Sequence, residues 1–186
     1  MKPTRAALVL AAGALAPALL LSTPALAAGP AAAPAAVSAT TPTDEDNAVA
    51  IARLLADPAS GKAVIREANK ALSGTAADRV TFLATGLAIA RDEDNTFAIV
   101  SLLADPASGR AVKREANKAL SGTAADRAAF LATGLRLARA EDDRVTVARI
   151  LARPGISDAL RAAADKAIDG TPEELRYFVT VGQYQY

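Results

Sequence analysis

The sequence contains no cysteine, histidine or tryptophan, and its aromatic residues are limited to four phenylalanines and three tyrosines among 186 residues. Without cysteine, a secreted chain forms no disulfide bonds and depends on packing for stability. Without histidine, it lacks the commonest metal ligand and the commonest acid–base side chain, so the usual serine–histidine triad is excluded. We therefore expect no enzyme activity, no cofactor and no metal.

An excess of charge of either sign is also lacking. Twenty-one basic residues face twenty acidic ones, which gives a formal net charge of +1. Phosphate backbones are bound by surfaces with a clear positive excess. This balance argues against nucleic acid as a partner.

The first 27 residues have the pattern of a secretory signal peptide. Lys2 and Arg5 precede the apolar run 6–21, and Pro24 precedes the small-x-small signal of residues 25–27. The run is short for a bilayer span, which needs about 20 residues, although an uncleaved anchor is the alternative. We expect cleavage after Ala27, secretion by the general route, and a mature protein without a transmembrane segment. Residues 28–43 are rich in Ala, Pro and Thr and carry no charge, which predicts a disordered linker.

An internal repeat dominates the remainder of the chain. The stretch REANKALSGTAADR occurs at 66–79 and again at 114–127, and residues 44–91 match 92–139 at 38 of 48 positions. Residues 140–186 continue the register more loosely. Repeats of 20–50 residues form supersecondary units that stack on their neighbours. We predict an all-α fold of three tandem repeats of about 48 residues, stacked as a short α-solenoid. The units are 44–91, 92–139 and a degenerate 140–186.

Each unit reads as about three helices. In the first unit, apolar residues at helical spacing predict a helix after a capping box of Thr43 and Asp46, and a third helix after a capping box of Thr75 and Asp78. Asp57-Pro58 predicts the end of the first helix and the start of the second, with aspartate as the N-cap and proline in the first turn. The second helix is predicted at about 59–73. Gly74 predicts a left-handed cap at the end of that second helix.

The connection between units is left open by the sequence. Between Leu87 and Leu103 there is neither Gly nor Pro, so the third helix of one unit either stops or continues into the first helix of the next.

Three Ala-Leu/Ile and Phe sets at equal spacing resemble the ALF repeat, a family of secreted short-repeat proteins of unknown function from high-GC Gram-positive bacteria. The sets are Ala71-Leu72 with Phe82, Ala119-Leu120 with Phe130, and Ala167-Ile168 with Phe178. The resemblance covers 44–186 and implies no catalytic residues. Some members of the family carry such repeats upstream of toxin-like domains. The second helices also resemble HEAT-repeat helices.

Other motifs have structural explanations. The Gly-Lys at 61–62 lacks the earlier glycine and the following Ser or Thr of a phosphate-binding loop. Acidic clusters at 44–46, 92–94 and 141–143 begin each unit, which favours capping of helix N-termini or pairing between repeats over a calcium site.

Basic residues recur at i, i+4 and i+8 on the second helices and form a candidate interaction ridge. Its members are Lys62, Arg66, Lys70, Arg110, Arg114 and Lys118. One interpretation is a solvated face paired internally; the other is a surface for an unknown protein or an anionic envelope polymer. We expect a secreted non-enzymatic binding or recognition module. The alternative is a structural stalk or remnant of a larger multi-repeat or toxin-type protein.

Overall fold

The computed structural model describes residues 41–186, and this part of the chain is an all-α array of three repeats. The signal-peptide prediction, and the linker prediction up to residue 40, lie outside the described residues. The first unit contains α1 (Asp44–Ala56), α2 (Lys62–Ser73) and α3 (Ala76–Thr81). In the described residues, no helix combines the length and the apolar character that crossing a membrane demands.

The units are joined by continuous helices, which resolves the connection that the sequence left open. Helix α3 passes through a π-helical turn (Phe82–Gly86) directly into α4 (Leu87–Ala104). The second unit repeats this arrangement with α5 (Arg110–Ser121), α6 (Ala124–Ala129), a π-helical turn (Phe130–Gly134) and α7 (Leu135–Leu151). The third unit ends with α8 (Asp158–Ile168), α9 (Pro172–Thr180) and a short 3₁₀ turn (Gly182–Tyr184).

Each unit has its own small core. In the first unit Ile51, Ala68, Ala71 and Phe82 are buried together, and the equivalent four residues of the second unit are buried in the same way. Phenylalanine is the largest side chain in each of these two clusters, and partly buried leucines pack around them. In a smaller cluster, Ala63 and Val64 of α2 pack on Ala90 of α4, the helix that continues into the second unit. This nearest-neighbour packing is typical of a solenoid.

Two local predictions are wrong. Asp57-Pro58 forms a turn, in which the Asp57 carboxylate accepts the amide of Ala59 at 2.9 Å, and α2 begins only at Lys62 after the N-cap Gly61. Gly74 is extended, with φ −91°, so it is not a left-handed cap. Glycine suits this position because an added Cβ would lie 2.6 Å from a carboxylate oxygen of Asp78 and would displace that capping side chain. The predicted capping boxes at Thr43 and Thr75 are confirmed, and equivalent boxes begin at Thr123 and Thr171.

Candidate functional site

The acidic clusters of the second and third units lie in the middle of long helices, so the prediction that they sit at helix N-termini is wrong for both. Only the cluster 44–46 begins a helix. Residues 92–94 lie inside α4, and 141–143 lie inside α7. Pairing between repeats is confirmed for Glu93 and Asp94, whose partners lie in the preceding unit, whereas Asp92 has its partner in its own unit.

Asp94 caps a helix of the preceding unit. Its two carboxylate oxygens accept the backbone amides of Ala63 at 2.8 Å and Val64 at 3.0 Å, at the start of α2. Asp142 binds the amides of Ala111 and Val112 at the start of α5 in the same way. A carboxylate at this place satisfies free amides and opposes the positive end of the helix dipole. Successive units are therefore connected by hydrogen bonds from backbone amides of one unit to a carboxylate of the next.

Glu93 neutralises part of the predicted ridge. Arg66 donates two hydrogen bonds to Glu93 and one to Glu67. The bonds from Arg66 lower the pKa of Glu93. Arg114 is bound by Glu141 and Glu115 in the same geometry. The remaining four ridge residues, Lys62, Lys70, Arg110 and Lys118, are exposed and form no ion pair within residues 41–186.

Asp92 pairs within its own unit. Both of its oxygens accept hydrogen bonds from Arg127, at 2.7 and 2.6 Å, and Arg127 also donates to the carbonyl of Gly122 at the end of α5. Asp44 and Arg79 form the same contact in the first unit. Arginine thus holds three helices together at this point in both units.

The third unit replaces this ion pair with apolar residues. Ala140 stands where the other units have Asp44 and Asp92, and Leu175 stands where they have Arg79 and Arg127. Both are buried in one cluster with Phe178. The change at both positions keeps the contact complementary, because a single replacement would have left an unpaired charge.

A cleft of about 860 Å³ lies where the second unit meets the third. We call it the junction cleft. Its walls are the turn before α5, the first residues of α5, the middle of α7, and Arg176 and Val179 of α9. Five arginines line it: Arg110, Arg114, Arg139, Arg149 and Arg176. Four acids line it as well: Asp105, Glu141, Asp142 and Asp143. This concentration of charge was not predicted, because the residues come from separate units.

Asp143 is the most deeply buried of the cleft acids, with its side chain 5% exposed. Its Oδ2 lies 3.0 Å from Nε of Arg176, yet the angle does not make a hydrogen bond. Burial raises the pKa of Asp143, and the positive charge of Arg176 only partly opposes this change. The other two units have Asn47 and Asn95 here.

Two equivalent surface grooves recur in successive units. The unit-2 groove, of about 650 Å³, lies between α5 and the helix α6–α7, and Lys118, Phe130, Gly134 and Leu137 are among its lining residues. The unit-3 groove, of about 660 Å³, is lined at the corresponding positions by Lys166, Phe178, Gly182 and Gln185, with Tyr177 and Tyr186 at its edges. The π-helical turn of the second unit supplies the groove floor, and such turns occur often at functional sites.

These features are one cleft and two grooves with charged and apolar linings, and we find no convergent set of groups suited to catalysis among the described residues. The ridge residue Lys118 lines the unit-2 groove, Arg110 lines the junction cleft, and Arg114 lines both. The sequence pattern identified these basic residues, but it contained no signal for the two cavities beside them.

Comparison with known proteins gives one family. A family model described as "ALF: Short repeats of unknown function" matches residues 49–90, 97–138 and 144–185. No curated protein matches the chain.

Proposed function

The chain belongs to the ALF family of short repeats of unknown function, and on this premise we propose that it is a secreted, non-enzymatic module that binds a partner along its repeats. The observation that supports this most is the recurrence of one groove in two successive units, with lysine and phenylalanine at equivalent positions. Repeat arrays present extended surfaces on which each unit contributes a similar contact.

Exposed apolar residues accompany the groove. Leu137 is 57% exposed at the unit-2 groove, and Ile89, at the same position of the first unit, is 70% exposed. Tyr177 and Tyr186 are exposed at the unit-3 groove. Aromatic and aliphatic side chains of this kind are the usual anchors of an interface, with charged residues at the rim. The partner we expect is a protein with apolar side chains that enter the grooves and acidic groups that face Lys118 and Lys166.

The experiment uses the mature chain, residues 28–186, immobilised and exposed to the culture medium and envelope fraction of the producing organism. The groove variant is Ile89→Ser, Leu137→Ser and Tyr177→Ser. The matched control is Val49→Ser, Phe97→Ser and Val145→Ser, which removes three exposed apolar side chains from equivalent positions on α1, α4 and α7. Circular dichroism is used to check that both variants keep the helical fold.

We expect one saturable partner that the wild type and the control bind and the groove variant does not. A partner lost only with the control variant would support a binding module and overturn its assignment to the grooves. If no saturable partner binds the wild type, the binding proposal is overturned and the structural-stalk interpretation is favoured.

The secretion part of the proposal has its own test. Mass spectrometry of the protein from culture medium is expected to give a chain that begins at Ala28. A chain that remains with the cells and retains residues 1–27 would contradict both the cleavage and the secretion.

A further inference from the structure

We propose that the junction cleft binds a multiply charged phosphate-type oxyanion, either free or as part of an envelope polymer. This site deepens the proposed binding function, on which its biological role rests, but it is distinct from the grooves. The inference comes from the charges of the cleft once its internal contacts are assigned.

The acids of the cleft are largely occupied. Asp142 is bound to the amides that begin α5, and Glu141 is bound to Arg114 at 2.7 and 3.1 Å. Asp105 accepts the amide of Ala107 in the turn before α5. Asp143 lies against Arg176. Each acid therefore already has a hydrogen-bond or ion-pair partner, and the five arginines of the lining outnumber its four acids by one.

Three arginines of the cleft have no such contact. Among residues 41–186, Arg110, Arg139 and Arg149 form neither an ion pair nor a side-chain hydrogen bond, although all three border the cleft. Arg176 faces Asp143 through Nε, which leaves its two terminal amino groups for another acceptor. A planar guanidinium binds phosphate or carboxylate oxygens in pairs. Four guanidinium groups in one cleft can match several oxygens at once.

The first junction lacks the same set. The residues there that correspond to Arg110, Arg139 and Arg149 are Lys62, Arg91 and Ser101. The Ser101 hydroxyl is already bonded to the carbonyl of Phe97 at 2.8 Å. Where the second junction has Arg176, the first has Ala128. Two arginines at the second junction therefore have no counterpart at the first, which favours a dedicated anion site over a property common to every repeat.

Asp143 also lines the cleft, but its Oδ2 is closed off from solvent and accepts no hydrogen bond from the described residues. A ligand in the cleft would therefore meet the arginines and not this oxygen. Inorganic pyrophosphate and polymers of alditol phosphate both carry the oxyanion that the arginines would bind.

The test is isothermal titration calorimetry of the mature chain with pyrophosphate and, separately, with poly(glycerol phosphate). The cleft variant is Arg110→Gln, Arg139→Gln and Arg149→Gln. The control is Lys62→Gln, Arg91→Gln and Arg53→Gln, which removes the same number of positive charges. Lys62 and Arg91 are the counterparts of Arg110 and Arg139 one repeat earlier. The counterpart of Arg149 one repeat earlier is Ser101, so Arg53, two repeats earlier, is used in its place. We expect the cleft variant to bind both ligands at least about tenfold more weakly, since each lost contact is a charge-assisted hydrogen bond. The control is expected to stay within about threefold.

If the cleft variant and the control lose affinity equally, the loss reflects net charge and the proposed anion site is overturned. The proposal is also overturned if the wild type binds neither ligand. Tighter binding of the polymer than of pyrophosphate, lost in the cleft variant, would assign the ligand to the envelope; the reverse order would assign it to free phosphate. Failure here leaves the groove proposal intact, because the groove and cleft variants share no residue. If the cleft variant still binds the partner that the wild type captures, loss of anion binding and loss of groove binding are shown to be separate.

Discussion

Asp94 of the second unit caps the helix that follows Gly61 in the first unit. An added Cβ on Gly61 would lie 2.2 Å from Cγ of Asp94, so a side chain at position 61 would displace the capping carboxylate. Gly109 and Asp142 form the same pair at the next junction. In the third unit Ser157 stands at the glycine position and accepts the amide of Leu160 with its own hydroxyl. Helix α8 is therefore capped without a following aspartate.

This relationship predicts a rescue. Asp142→Ala removes the cap of α5 and is expected to lower the free energy of unfolding by about 1 kcal/mol. Gly109→Ser alone is also expected to destabilise, because its Cβ meets Asp142. The double variant lets the introduced hydroxyl cap α5 as Ser157 caps α8, and it is expected to be more stable than either single variant. Urea unfolding of all four proteins measures this coupling; additive losses would show that a serine at this position does not cap α5.

The replacement of Asp–Arg by Ala–Leu in the third unit predicts that the same change is tolerated in the second. Asp92→Ala alone is expected to lower stability, because Arg127 is only 15% exposed and loses both carboxylate contacts. Asp92→Ala with Arg127→Leu is expected to restore or exceed the urea midpoint of the wild type, since an apolar pair carries no desolvation cost. A double variant no better than Asp92→Ala would contradict this.

The same pair has a pH signature. Hydrogen bonds from Arg127 lower the pKa of Asp92. The pair therefore stabilises the fold above the unfolded pKa of aspartate, and this contribution is lost as pH falls through the lower folded pKa. Urea midpoints of the wild type between about pH 5 and pH 2 are expected to fall more steeply than those of the double variant. Parallel curves would show that Arg127 does not act on Asp92.

Local features were predictable from sequence, whereas contacts between units were not. Thr–acid pairs three residues apart revealed the capping boxes because both partners lie in one turn. The cap from Asp94 to Ala63 spans 31 positions, and nothing in the local pattern signals it. The same separation explains the error at Asp57-Pro58: local preference favoured a helix start there, but the tertiary cap at Gly61 sets where α2 begins. The junction cleft was missed for the same reason.

Asp143→Asn is expected to stabilise the protein at neutral pH. Burial raises the pKa of Asp143, so its ionised form is disfavoured in the folded protein. The carboxyl costs the fold nothing below the pKa of aspartate in the unfolded chain. Stability is then lost as the pH rises through the pKa of Asp143 in the folded protein. Asparagine carries no charge and removes that cost, so the urea midpoint at neutral pH is expected to rise. Arg176 is half-exposed, so water solvates it once the carboxylate is gone.

The check for Asp143 is a set of urea midpoints from about pH 8 to pH 3. Asp143→Asn is expected to raise the urea midpoint at about pH 7. The difference from the wild type should vanish at about pH 3, where the wild-type carboxyl is protonated in both the folded and the unfolded protein. The matched variant Asn95→Asp is expected to destabilise at neutral pH, because Ala128 stands where the third unit has Arg176. A gain that persists unchanged in acid would assign the effect to packing and not to ionisation.

The π-helical turn of the second unit is closed by the amide of Leu135, which donates to the carbonyl of Phe130. Within this turn Gly134 lies against the phenylalanine ring, and an added Cβ would be 3.2 Å from Cδ2 of Phe130. Gly134→Val is expected to displace the ring from the core it shares with Ile99 and Ala119, at about 1–3 kcal/mol. The control is Ala132→Val in the same turn, which carries the same β-branched penalty at an exposed position. Urea unfolding compares the two variants. Equal losses would mean that the ring does not depend on the glycine, and that the helix merely disfavours valine.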